Sequence, residues 1–247
     1  MYYGRWDLQC TWQECGFGHG SGVCRGVIIS GGNYTSPALP FQNRASRIWA
    51  ERNRVHIVNI VTLPSGSKYM LDVGFGGDGA TKPLPLISGH ITQNLGSQQV
   101  RLLHGTIPQQ LDQSQKLWIY QYRNREEQEW NSFFAFPETE FLPMDFEVMS
   151  FYTSQHQGGT NFQTRTVLVI RFLLGEREGR EEVVGKVMLV NGDVKRNDGG
   201  RTRVVEVCRT EDDRVRALRE HFEIELTEEE ILGIKGRNVE LREEEYE

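Results

Sequence analysis

Residues 69–77 read Tyr69-Met70-Leu71-Asp72-Val73-Gly74-Phe75-Gly76-Gly77, a β-rich run that stops in a glycine-rich turn. Asp72 is the awkward residue here: among Met70, Leu71 and Val73, a carboxylate is expensive to bury unless it is paired. Upstream, His56–Thr62 (HIVNIVT) is a second β-rich run, and Leu63-Pro64-Ser65-Gly66-Ser67 between the two is a hairpin signal. With a five-residue loop at Thr62–Gly66, antiparallel pairing sets His56 directly opposite Asp72, both side chains on one face. A shorter loop of two or three residues would separate them. The spacing therefore permits a histidine–carboxylate pair without requiring it. Gly74, Gly76 and Gly77 would let backbone approach a ligand closely.

Outward from this hairpin the chain reads as β-rich with terminal helices. Gln99–Leu103, Leu117–Tyr122, Thr166–Leu173 and Val183–Val190 are strand candidates. An Asn191-Gly192 turn leads from the last into Val194–Arg196. Asp212 or Asp213 can cap a helix through Phe222, with Val215, Leu218 and Phe222 at helical spacing. Thr227 and Glu230 have the form of a second helix start, a capping box ahead of Ile231 and Leu232. Residues 1–53 differ: there are seven glycines from Cys15 through Gly32, and neither helical nor strand periodicity is sustained. They read as an irregular segment, longer than any reasonable loop.

The hairpin and several later segments together resemble the arylamine N-acetyltransferases, most closely their fungal members. The resemblance covers roughly residues 55–247 and is carried by HIVNIV, YMLDVGFGG, Lys82–Leu86 (KPLPL), Gln115–Arg123 (QKLWIYQYR) and Glu140–Ser154 (EFLPMDFEVMSFYTS). It implies an α+β fold: an N-terminal helical bundle, a central β-barrel and a C-terminal α/β lid. On this chain the barrel would span residues 54–155 and the lid 156–247, with the bundle missing or corrupted in residues 1–53. It also implies a chemistry, in which a Cys thiolate takes acetyl from acetyl-CoA and passes it to an arylamine, arylhydroxylamine or hydrazine nitrogen. By position His56 and Asp72 match the histidine and aspartate of the Cys-His-Asp triad, and Phe75, Gly76 and Gly77 the turn lining the acyl and cofactor cleft. No metal is implied. The physical logic agrees: a neighbouring imidazolium lowers a thiol pKa, and a carboxylate orients the imidazole.

The pattern breaks at the nucleophile. The family places it in a segment like Arg-Gly-Gly-Tyr-Cys-x-Glu-x-Asn, which this chain lacks. Cys15 has a plausible gap to His56, but Gln13-Glu14 and Gly16-Phe17 do not match; Cys208 reads as a small buried hydrophobe. Degenerate codons for residues 1–17, read from the third base of Met1, encode a string compatible with VLRxLGFxVYxAGxR, which resembles the family segment after the nucleophile helix. Residues 1 to about 50 are thus expected to be an out-of-frame translation, with the nucleophile outside this chain. The competing readings are a non-catalytic remnant that binds CoA or a partner, and a hydrolase built on Cys15, His56 and Asp72.

Composition narrows the field without choosing among these. The 247 residues are 38% hydrophobic and 25% charged with a net charge of −6, an ordinary globular composition. Without a basic stripe, a nucleic-acid surface is not expected. No run approaches the roughly 18 apolar residues of a membrane span, and the N-terminus lacks a signal-like apolar core. Four cysteines in this length do not make a disulfide scaffold and fit reduced thiols in the cytoplasm. His19, His90, His104, His156 and His221 read as surface residues, and LREEEYE as a solvated tail.

Overall fold

The computed structural model describes residues 23–31, 54–72, 75, 77–155, 164–177 and 179–241. Strands β1 (Val23–Gly31), β2 (Arg54–Thr62), β3 (Lys68–Leu71), β4 (Leu84–Pro85), β5 (Ile91–Gln93), β6 (Gln99–Gly105), β7 (Leu117–Arg123) and β8 (Asn131–Phe136) form one antiparallel sheet, ordered β4-β3-β2-β1-β8-β7-β6-β5. Alternate residues supply its core: Val58 and Ile60, Val100 and Leu102, Trp118 and Tyr120, Phe134 and Phe136. Strand β1 lies inside the segment that the sequence leaves without regular structure. It is held on both sides, pairing with β2 along most of its length and with β8 at Ser30 and Gly31.

The expected barrel is corrected to an open sheet, since β4 and β5 are its two edges. They are two and three residues long and do not pair with each other. The segment joining them spans the gap instead. Leu86 N–H donates to Lys68 O on the β3 side, and Gly89 N–H to Leu102 O on β6, both at 2.9 Å or less. Curvature brings the edges near, and a loop rather than a ladder fills the space.

Helix α1 (Pro143–Gln155) follows β8 and buries none of its residues. Strands β9 (Leu168–Arg177), β10 (Arg180–Val190), β11 (Asp193–Asn197) and β12 (Arg203–Val207) then form a second antiparallel sheet, ordered β12-β11-β10-β9. Helix α2 (Glu211–Phe222) packs Ala217 and Phe222 against Val187, Leu189 and Val194 of that sheet, and α3 (Glu228–Leu232) follows. The cap of α2 is Thr210, not Asp212 or Asp213; Asp213 is the third helical residue and completes the capping box. Thr227 and Glu230 cap α3 as their spacing predicts.

Candidate active site

The hairpin that carries the site closes one residue later than the simplest pairing predicts. Thr62 pairs with Lys68 and Asn59 with Leu71, leaving Leu63–Ser67 as the five-residue loop. Its neck is the bond from Leu63 N–H to Ser67 O, 2.9 Å. Continuing that ladder one step puts Asp72 beside Val58 rather than His56. The shift is an even number of positions, so both side chains keep the same face and meet on the diagonal. His56 Nε2 lies 2.9 Å from both Asp72 oxygens.

Burial separates their roles. The Asp72 side chain is 1% exposed and that of His56 23%, so the carboxylate is the interior member and the imidazole the more accessible one. Asp72 Oδ1 also accepts from Phe75 N–H at 3.0 Å, which folds the turn back over the carboxylate. A carboxylate can only accept, so the geometry assigns the proton to Nε2 and leaves Nδ1 able to exchange one with a reacting group. The Phe75 ring stands edge-on to His56 and to Phe133, each at 4.9 Å between centroids. It walls one side of the imidazole with apolar surface.

The turn after Phe75 is gripped from two directions. Tyr120 Oη donates to Asp78 O at 2.8 Å. Burial pushes the Tyr120 phenol well above its usual pKa, and the charges of Asp78 and Asp72 add to this, so it stays a donor. From the second sheet, Lys186 Nζ donates to Gly77 O at 2.5 Å and to Asp78 Oδ1 at 3.0 Å. The sequence signal for Lys186 is a lysine inside the apolar run Val183–Val190; for Tyr120 and Phe133 there is none beyond an aromatic in a strand.

Of the residues singled out from sequence, His56, Asp72 and Phe75 come together, and Gly77 sits two residues beyond Phe75 in the same turn. Gly76 and Cys15 lie outside the described residues. Cys208 is elsewhere, 3% exposed and packed under α2. Burial pushes its thiol up, and Glu206 and Asp213 push it further. His221 is not free on the surface but bonded to Glu206 at 2.9 Å. The ligand atoms of Glu206, Glu220 and His221 fall within 4.8 Å of one another. Arg216 donates to the second Glu206 oxygen at 2.9 Å, so these side chains form an ion-pair network.

Comparison with known proteins supplies the class. Residues 41–231 match the N-acetyltransferase family profile. The N-malonyltransferase FDB2 of Fusarium pseudograminearum (strain CS3096) is 33% identical over 187 residues, covering 72% of this chain and 53% of the relative. That of Gibberella moniliformis is 33% identical over 172 residues, covering 66% and 48%. The chain thus spans about half the length of the curated relatives it matches. Among solved structures, the arylamine N-acetyltransferase from Salmonella typhimurium superposes with a TM-score of 0.62 at 20% identity, covering 86% of this chain and 68% of that one. The Mycobacterium marinum enzyme in complex with CoA gives 0.58 at 20% identity, covering 82% and 63%. Fold and profile point to one family. The chain belongs to the arylamine N-acetyltransferase family. Among the described residues no helix is long and apolar enough to cross a membrane.

Proposed function

We propose that this protein's chemistry is CoA-dependent N-acyl transfer by a Cys-His-Asp mechanism, with small aromatic amines or hydrazines as acceptors. The observation that carries the reading is the His56–Asp72 contact beside the Phe75 ring, which engages Nε2 and leaves Nδ1 as the nitrogen not used by the carboxylate. In such a site, Nδ1 takes the thiol proton, and the thiolate attacks the thioester carbonyl of the acyl-CoA. Coenzyme A leaves as the thiol, and the acyl group stays on sulfur. An amine nitrogen then attacks that carbonyl, loses its proton to the imidazole and departs as the amide. Asp72 holds the ring and stabilises the imidazolium formed in each half. Phe75, Gly76 and Gly77 would line the acyl and CoA cleft. Acetyl-CoA is the donor that the family name suggests, and the N-malonyltransferase relatives make malonyl-CoA the second to test.

A second reading, a non-catalytic remnant that at most binds CoA or a partner, is favoured by one observation. No cysteine of this chain follows a Gly-Gly-aromatic sequence, and Cys15 has the right gap to His56 without the right neighbours. The test is to incubate the purified chain with acetyl-CoA or malonyl-CoA. Intact mass then shows whether one acyl group is added that hydroxylamine removes. The expected result is no adduct on this chain, and an adduct on a chain that carries the family's Arg-Gly-Gly-Tyr-Cys segment ahead of the sheet. An adduct at Cys15 that disappears in His56→Ala would instead complete the triad within this sequence. No adduct on either chain, with both folded, would leave the remnant reading standing.

A further inference from the structure

We propose that Lys186 is a positioning residue, a latch from the second sheet that fixes the 75–78 turn and, through it, the His56–Asp72 pair; the inference rests on the reading of that pair as the candidate active site. The Lys186 side chain is 4% exposed in the middle of β10, where strand partners Phe172 and Asn197 flank it. A buried ammonium is a poor choice for stability alone, because well-packed apolar residues often replace buried ion pairs without loss. What the lysine supplies is direction. Its two acceptors, Gly77 O and Asp78 Oδ1, belong to a turn on the other sheet, 109 and 108 residues away in sequence.

That turn cannot hold itself. Gly77 is at φ +50°, and glycine-rich backbone loses much freedom when it is ordered. Two adjacent carbonyls are pinned instead, Gly77 O by Lys186 and Asp78 O by Tyr120, one from each sheet. Phe75, two residues upstream, then keeps its N–H on Asp72 Oδ1 and its ring edge against His56. The path from Lys186 to the imidazole runs Gly77, Phe75, Asp72, with a hydrogen bond at each end. Without the ammonium, the first sheet still holds Asp78 O through Tyr120, Gly79 O through Asn94 Nδ2 at 3.0 Å and Asp78 Oδ1 through Gln98 Nε2 at 3.4 Å, but Gly77 O, the acceptor nearest Phe75, loses its donor, and the Phe75 N–H is held to Asp72 less firmly.

The experiment reads the imidazole directly, with neither CoA nor amine present. The full chain is labelled with 15N-histidine, and the His56 Nε2–H signal is assigned by its loss in His56→Gln. Lys186→Met, folded by circular dichroism, is expected to exchange that proton with solvent about ten-fold faster or more, as loss of a charge-assisted bond expressed in local opening predicts. Lys186→Arg should restore slow exchange. Asp78→Asn, whose side chain is 37% exposed and tolerant of change, should show a smaller acceleration and carries the test if Lys186→Met does not fold. An unchanged His56 signal in folded Lys186→Met, or in Asp78→Asn should that variant stand alone, overturns the proposal. Failure of acyl transfer leaves this result untouched, since no transfer step is measured.

Discussion

Asp72 is almost wholly enclosed, and its environment shows how the chain makes a buried carboxyl group tolerable. His56 Nε2 and the Phe75 N–H both point at it, so the carboxylate is bonded from a side chain and from the backbone. Asp72→Ala should therefore cost about 1–3 kcal/mol, because the Phe75 N–H loses its acceptor and the turn its anchor. Urea unfolding measures this, and a loss below half the lower figure would mean that the turn is fixed from elsewhere. Cys208 is the opposite case. Its thiol is 3% exposed and its pKa is raised, first by burial and then by Glu206 and Asp213, so little thiolate forms near neutral pH. Iodoacetamide at pH 7.5 should leave Cys208 unmodified in the folded chain and label it in urea; rapid labelling without urea would contradict the packing under α2. Asp72 was legible in the sequence because apolar Leu71 and Val73 flank it in a strand-like run, so its polarity demands a partner; Cys208 was legible as a small apolar residue after Val207 in VVEVCRT. Lys186 met the same criterion as Asp72, but its partners sit on another sheet, beyond what local spacing can reveal.

Among the elements, helix α2 shows how much a few residues decide. Thr210 Oγ1 accepts from Asp213 N–H at 3.1 Å, and Asp213 Oδ2 accepts in return from Arg209 and Thr210 N–H. Thr210→Ala should lower stability by about 1 kcal/mol, measured by chemical denaturation at neutral pH. The backbone bond from Arg209, joined by that from Thr210, holds the Asp213 carboxyl below its usual pKa. A depressed folded pKa gives stability that is present above the unfolded value of about 3.9 and is lost as pH falls through the folded value. The deficit of Asp213→Asn relative to the parent should therefore be full at pH 6 and shrink below about pH 4. A deficit independent of pH would assign the effect to helix propensity. This helix and the β2–β3 hairpin could be read from sequence because caps and alternation are local. Four other strands could not. β4 and β5 are shorter than any periodic window. β8 buries four consecutive residues, Phe133, Phe134, Ala135 and Phe136, which erases its alternation, and a register shift opposite Tyr120/Gln121 interrupts its pairing at Phe133. β1 sits among glycines and is recruited by strands on either side rather than by its own pattern.

At the scale of the whole molecule, the site depends on how the two sheets are held together, because the turn that completes it is gripped from both. Three links join them among the described residues: Lys186 to Gly77 and Asp78, the exposed Lys82–Glu182 pair at 2.6 Å, and a backbone contact of Ser97 N–H with Gly199 O at 3.3 Å. The salt bridge is weak evidence of strength, since such pairs contribute roughly 0–1 kcal/mol. The backbone contact is the least forgiving. Gly96 has φ +58°, and a Cβ built on it would lie 1.8 Å from the Gly199 carbonyl oxygen and 2.3 Å from its carbon. Nothing there can rotate aside, because both obstructing atoms are backbone. Gly96→Ala must therefore adopt a left-handed conformation that alanine disfavours and push the two sheets apart at this corner. The expected loss exceeds about 2 kcal/mol, the range in which strain and steric conflict dominate single substitutions. For a chain of this size that corresponds to a fall in Tm of at least about 4 °C. Gly200→Ala is the matched control one residue past the contact, where a Cβ would meet nothing within 4 Å, and it should change stability by no more than about 0.5 kcal/mol. Amide exchange should separate a local loss from a general one. In Gly96→Ala, protection should fall first in the β5–β6 turn, around Asn197–Gly200 and at the Gly77 turn, while the β6–β7 ladder keeps its own. Equal stability of Gly96→Ala and Gly200→Ala would show that the sheets do not meet at this point, and the coupling of the second sheet to the first would then rest on Lys186 and the exposed Lys82–Glu182 pair.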